Sequence, residues 1–267
     1  MNYLITMLGA AEGATSASDF FSGAFNLDQA VAFTFFIGSM ALMGATAFFW
    51  LEMRNVASKW RTSLLISGLI TFIAAVHYFY MRDYFVSTGG ESPTFFRYVD
   101  WILTVPLMCV EFYLITRKAG GTMGTMWKLI AAAVVMLVTG YFGEAVVETP
   151  TAQWVWGLIS GVAHFYIIYL VWFGEISKLA AKSSGAVKKA NNILAWFVLV
   201  GWAIYPIGYI LGTEGGLFGI NFGVDAAFMD VVYNIGDAVN KIGFGLVVYS
   251  LAASETKDVK EGQTATA

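Results

Sequence analysis

Apolar residues gather into seven stretches, at roughly 30–51, 63–81, 96–116, 126–146, 153–174, 193–212 and 229–252, each close to the ~20 residues that carry a helix across a hydrocarbon core. The segments between them are short and rich in turn formers and breakers: STGGESP before Phe95, KAGGT after Arg117, ETPT around Pro150 and GTEGG after Leu211. Little chain is left outside a bilayer. The pattern predicts an all-α membrane protein, a single seven-transmembrane-helix bundle over residues 30–252. Residues 1–29 are expected to form an extracellular N-terminal segment, and 253–267, polar and rich in small residues, a disordered cytoplasmic tail. The opening MNYLITMLGAA is apolar but short and lacks a basic lead, so residues 1–20 are only a weak match to a cleaved signal peptide.

Lysine and arginine set the orientation, because cytoplasmic loops retain positive charge. Twelve of the 15 fall on one side: Arg54, Lys59 and Arg61 after the first span, Arg117, Lys118 and Lys128 after the third, Lys178, Lys182, Lys188 and Lys189 after the fifth, and Lys257 and Lys260 in the tail. The opposite segments hold Glu12, Asp19, Asp28, Glu91, Glu144, Glu148, Glu214, Asp225 and Asp230, with Arg82 as their one cation. The N-terminus is therefore expected outside and the C-terminus in the cytoplasm.

Composition narrows the classes further. The 267 residues are 58% hydrophobic and 12% charged, against about 45–50% and 25% for a soluble domain, which argues against a soluble enzyme. The 22 Phe, 13 Tyr and 9 Trp are too much apolar surface for a solvated coil. A net charge of −3 leaves no basic excess for a nucleic-acid partner. Cys109, the single cysteine, forbids an internal disulfide or a thiolate cluster and reads as an inert buried thiol, and two histidines are too few for a metal site.

Five ionisable groups remain inside spans: Arg97, Asp100, Glu111, Asp237 and Lys241. At about 2.5–3.5 kcal/mol each, they would cost roughly 12–17 kcal/mol if they faced lipid unpaired. They must face inward. Arg97, Asp100, Thr104, Met108 and Glu111 step by three or four residues and share one helix face. Asp100 and Glu111 lie almost in line, roughly 16 Å apart along the axis, which puts Asp100 on the outer half and Glu111 on the inner half. Asp237 and Lys241 form an i, i+4 pair. Lys241 sits near the midplane in IGDAVNKIGFGLVV, where an apolar setting favours the neutral amine that Schiff-base chemistry needs. From the residues alone, the Asp237–Lys241 pair also reads as an ion pair stitching helices together, and Glu111 as a protonated core acid.

Three segments, RYVDWILTVPLMCVEF, GWAIYPIGY and NIGDAVNKIGFG, at these separations resemble the microbial rhodopsins, most closely the proteorhodopsin group, over nearly the whole chain. The resemblance implies retinal bound to Lys241 as a protonated Schiff base, all-trans in the dark. Asp100 is then counterion and proton acceptor, Asp237 second counterion, Glu111 proton donor and Arg97 a charge partner below them. Two cations would face two carboxylates, a local sum near zero. Trp101, Thr104, Met108, Trp202, Tyr205 and Pro206 match the retinal-pocket positions, although each Trp or Tyr alone could simply pack the core. Met108 holds the colour-tuning position and implies green absorption. His77 matches a histidine that hydrogen-bonds the acceptor carboxylate and tunes its pKa, with a plain core histidine as the alternative, and Tyr78 beside it matches a hydrogen-bonding partner of the counterions. His164 has no matching role and reads as packing or an interface contact.

The implied function is a light-driven outward proton pump, a transporter and not an enzyme, in the lipid bilayer of a bacterial plasma membrane. The family commonly assembles as homo-pentamers or hexamers. Rival readings are a light sensor, a retinal pump for another ion, or a retinal-independent seven-helix transporter or receptor. The set Asp100, Thr104 and Glu111 differs from the Asn, Asp and Gln of sodium pumps and from chloride pumps, which lack the acceptor carboxylate.

Overall fold

A computed structural model describes residues 26–264. The signal-peptide candidate at 1–20 lies outside the described residues. Asn26 opens α1 (Leu27–Glu52) with a capping box: its side chain accepts from Gln29 N at 2.8 Å, and Gln29 Oε1 accepts from Asn26 N at 3.1 Å. Then come α2 (Arg61–Ser87), α3 (Thr94–Thr116) and α4 (Met123–Tyr141), the last extended by a π-helical turn, Phe142–Val146. Pro150 occupies the first turn of α5 (Pro150–Trp172), where a missing N–H costs nothing, and Thr149 caps it. A short α6 (Glu175–Ala181) follows.

The sixth span is broken. It comprises α7 (Gly185–Trp196), a π-helical segment Phe197–Gly201, and α8 (Ile204–Gly212). Pro206 stands in the first turn of α8, just past the break, so few hydrogen bonds are lost to it. The last helix, α9, runs Ala226–Thr264. It packs against α1, α2 and α7, closing the ring that α1 to α5 form by successive neighbours. This is the expected seven-helix bundle.

Six of the spans are long and apolar enough to cross a membrane. Their surfaces invert those of a soluble bundle. Phe165 and Val162 are 70% and 63% exposed, while Asp100 and Glu111 are fully buried. A helix apolar on its outer face has lipid as its natural solvent. The seventh, α9, turns Asp230, Asn234, Asp237, Asn240 and Lys241 inward, all buried and all on one stripe. Two apolar clusters flank that stripe: one around Phe35, Tyr78, Met81 and Ala238, the other around Met108, Phe112, Trp202 and Phe244.

Three expectations change. The tail read as disordered from 253 is helical as far as Thr264, because residues just past the span are tied down: Glu255 pairs with Lys59 and accepts from Ser184 Oγ at 2.7 Å, and Thr256 accepts from Ala57 N at 2.9 Å. The sixth span, expected from 193, starts at Gly185, so Lys188 and Lys189 lie on α7 and not in a loop. Asp230, assigned to an outer segment, is a buried residue of α9.

Candidate functional site: a buried lysine between two carboxylates

Lys241, on α9, is 2% exposed. Its Nζ lies 2.5 Å from Asp100 Oδ2 on α3 and 2.5 Å from Asp237 Oδ2 one turn back on its own helix. The i, i+4 spacing supplies the second contact, and the α3 stripe supplies the first.

The two carboxylates are held very differently. Asp237 Oδ1 accepts from Tyr205 OH at 2.9 Å and Trp101 Nε1 at 3.3 Å, and its Oδ2 accepts from Tyr78 OH at 3.2 Å as well as from the lysine. Tyr78 is itself anchored to Asn234 O at 3.1 Å. Asp237 thus has its lone pairs occupied by donors from three other helices, which fixes its position. Asp100 Oδ1 has no hydrogen-bond partner among the described residues. That free oxygen can take a proton without breaking a bond. Trp101 and Tyr205, expected as pocket walls, are therefore also donors to the second carboxylate.

His77 does not make the expected hydrogen bond. Its Nδ1 stands 3.8 Å from Asp100 Oδ1 and 2.9 Å from Ile73 O on its own helix, so the intrahelical carbonyl one turn back captures the ring nitrogen. It remains the side chain beside the free oxygen. Thr104 Oγ1 donates to Asp100 O at 2.9 Å, turned to its own helix. Trp101, Met108 and Trp202 are buried, at 5%, 2% and 3% exposure. Asn240 Nδ2 reaches Gly201 O at 2.9 Å, and a Cβ on Gly201 would fall 2.1 Å from Asn240 Oδ1, so glycine is what lets the π-helical segment of the sixth span approach α9 beside the lysine.

Arg97 also differs from expectation. It pairs with Asp230, Nη2 to Oδ1 at 2.8 Å, and lies 5.0 Å from the centre of the Tyr233 ring. Ser92 Oγ donates to the same Asp230 oxygen at 2.8 Å. With every group ionised, Arg97, Lys241, Asp100, Asp237 and Asp230 sum to −1 and not to zero; Asp230 is the added charge. The periodicity Asp230, Asn234, Asp237, Lys241 would have exposed it. Beyond Arg97 a cavity of about 530 Å³ opens at the Asn26 end of the bundle, lined by Ser92, Arg97, Glu144, Gln153 and Asp230 among others. Tyr98 OH donates to Glu144 Oε2 at 2.7 Å.

Asp230→Asn strands a buried guanidinium, a change that typically costs about 3–5 kcal/mol, so its thermal midpoint should fall by several degrees; an unchanged midpoint would show that Arg97 is satisfied elsewhere.

Glu111 lies toward the Thr116 end of α3, at the Glu52 end of the bundle, fully buried, with neither carboxyl oxygen in full hydrogen-bond geometry among the described residues. The Ser63 side chain of α2 is the polar group that acts on it. His164 Nε2 lies 3.3 Å from Val198 O, pinning α5 to the π-helical segment. Cys109 is buried and free, and no metal-ligand cluster occurs among the described residues.

The fold and the site together define a seven-helix membrane bundle with a lysine amine buried between two carboxylates. The chain belongs to the bacteriorhodopsin-like protein family, whose model matches residues 29–255. It is 40% identical over 97% of its length to a green-light absorbing proteorhodopsin of an unknown prokaryotic organism, and 38% identical over 97% to a blue-light absorbing proteorhodopsin of Gamma-proteobacterium Hot 75m4, in both cases covering 100% of the relative. The solved structure of xanthorhodopsin, a light-driven ion pump with dual chromophore, is similar at TM-score 0.76 and 28% identity, over 88% of this chain and 96% of that one.

Members of this family bind retinal, and the residues present suit it: one buried amine stands between two carboxylates that would hold a cation at that nitrogen, and Trp101, Met108 and Trp202 are buried apolar side chains.

Proposed function

We propose that this protein is a light-driven pump that moves protons outward across a bacterial plasma membrane and so builds a proton motive force. The observation that carries the reading is the unequal holding of two carboxylates at one lysine, with a third, solitary carboxyl farther along the same helix face. Retinal, attached through Lys241 Nζ, supplies light absorption and the isomerisation that drives the cycle.

The chain's own residues then divide the work. Asp237, held by Tyr78, Tyr205 and Trp101, keeps its charge and position. Asp100, with its free Oδ1, takes the proton released at Lys241 Nζ. From Asp100 the route outward leads past Arg97 and Asp230 into the cavity that Glu144 lines. Glu111, enclosed among apolar side chains, holds a proton at neutral pH and returns it to the lysine nitrogen from the other side. Lysine and arginine gather at the end of the bundle toward which Glu111 lies, which supports uptake from the cytoplasm and release outside. Each proton exported stores about 2.3 kcal/mol per 100 mV.

The test is the external pH of a weakly buffered suspension of retinal-fed expressing cells under green light. Acidification abolished by a protonophore is expected; alkalinisation enhanced by it would mean that another ion is moved, and unchanged pH in coloured cells would favour a sensor. Met108 at the colour-tuning position gives a green absorbance maximum in purified protein, and a blue maximum would overturn that inference. Glu111→Gln should pump more slowly and lengthen the recovery of the pigment about 100-fold, and an unslowed recovery would remove Glu111 from the donor role.

A further inference from the structure

A second cavity, of about 290 Å³, opens at the Glu52 end of the bundle, between the starts of α2 and α7, the end of α3 and the far part of α9. It has no part in the proposed proton path to the lysine. Lys59, Arg117, Lys118 and Lys182 line it, against one carboxylate, Glu255. That carboxylate is already engaged: it pairs with Lys59 and accepts from Ser184 Oγ at 2.7 Å. Arg117, Lys118 and Lys182 have no ion-pair partner among the described residues. Three positive charges therefore converge on one concave site uncompensated.

We propose that this cavity is a binding site for a phosphate group. The charge excess calls for a multiply charged anion. Arg117 offers a planar fork suited to phosphate oxygens, and two lysines add point charges. Ser183 and Ser184 also line the cavity, but their hydroxyls already donate to Leu179 O and to Glu255, so the cations supply the recognition. At about 290 Å³ the volume is at the small end of ligand pockets, the size of a headgroup and not of a nucleotide. A basic pocket between spans at the cytoplasmic side is also where anionic lipid headgroups are held. Free phosphate and a phospholipid headgroup share this chemistry, and the experiment separates them. Ile115, one turn beyond Glu111 on α3, forms part of the floor, so the occupant stands at the inner mouth of the bundle.

The test uses the full-length, retinal-loaded protein in nanodiscs of phosphatidylcholine, titrated with inorganic phosphate by calorimetry, with chloride at equal ionic strength as control. Saturable phosphate binding is expected. Arg117→Gln with Lys118→Gln should weaken it about 30-fold, each cation contributing about fivefold. Lys188→Gln with Lys189→Gln, exposed positions of α7 outside the cavity, should leave it unchanged. The second arm replaces part of the lipid with phosphatidylglycerol. If the headgroup is the natural occupant, phosphate heats vanish in those discs and the thermal midpoint by tryptophan fluorescence rises, a rise that the Arg117/Lys118 variant loses. Absence of both saturable phosphate binding and a lipid-dependent midpoint would overturn the proposal. So would equal losses in the two variant pairs, which would mean diffuse surface charge. Neither readout depends on pumping, so failure here leaves the pump reading standing.

Discussion

Lys241→Ala should be colourless after retinal addition and should melt far below the parent protein. Two separate consequences of one geometry are involved. The amine proposed to hold the chromophore is gone, so the visible band should be lost entirely. The cation between Asp100 and Asp237 is gone as well, leaving two buried carboxylates that stood 2.5 Å from it facing each other uncompensated. Removing one partner of a buried pair costs about 3–5 kcal/mol, and here two pairs share the partner. The consequences can be separated. Adding Asp100→Asn to Lys241→Ala removes one stranded charge while the free Oδ1 side of that residue loses nothing. The double variant should recover much of the thermal midpoint and none of the colour. A visible band in either variant would show that the chromophore is held elsewhere, and an unaltered midpoint in the single variant would show that the carboxylates are neutral in the parent.

The spans, their order and the polar stripe of the third helix were legible from periodicity alone, because a bilayer imposes both length and inward-facing charge on any helix that crosses it. Asp100, Glu111, Asp237 and Lys241 could be found for that reason: an ionisable residue in an apolar run is conspicuous. Asp230 was passed over, since it falls at the very start of the last apolar stretch, where an acid reads as a loop residue, although its spacing to Asn234, Asp237 and Lys241 puts it on their stripe; its buried contact with Arg97 decides between the two readings. The π-helical break at Phe197–Gly201 left no mark in composition. Pro206 pointed to irregularity nearby, but a proline in a spanning helix is compatible with a kink, a break or neither.

The hydrogen bonds around the lysine were the least legible part. Trp101 and Tyr205 match positions expected to wall a chromophore, and an aromatic residue in a pocket gives no sign of where its N–H or O–H points. Both turn toward Asp237, at 3.3 and 2.9 Å. His77 erred the other way: its place near Asp100 was right, while its ring nitrogen is claimed by Ile73 O at 2.9 Å. The charge pattern located the residues; which oxygen each donor chooses depends on rotamers that helical spacing does not set.

Asp100→Asn should keep the pigment and lose the pumping. The asparagine is nearly isosteric, and Asp237 remains as counter-charge within 2.5 Å of the lysine nitrogen, so retinal should still be held and the purified protein coloured. What disappears is the proposed acceptor. Asp237 is a poor substitute, since its oxygens already accept from Tyr205, Trp101 and Tyr78, and protonating it would break bonds that Asp100 does not have to break. Losing a positioned proton acceptor costs on the order of 100-fold or more in rate, so light-driven acidification per unit of pigment should fall at least that far. The complementary substitution reads the asymmetry from its other side. Asp237→Asn removes the carboxylate on which three donors and the lysine converge, and should lower the thermal midpoint more than Asp100→Asn does. Pumping by Asp100→Asn within tenfold of the parent at equal pigment would assign the acceptor role to another group, and Asp237 would be the first to examine.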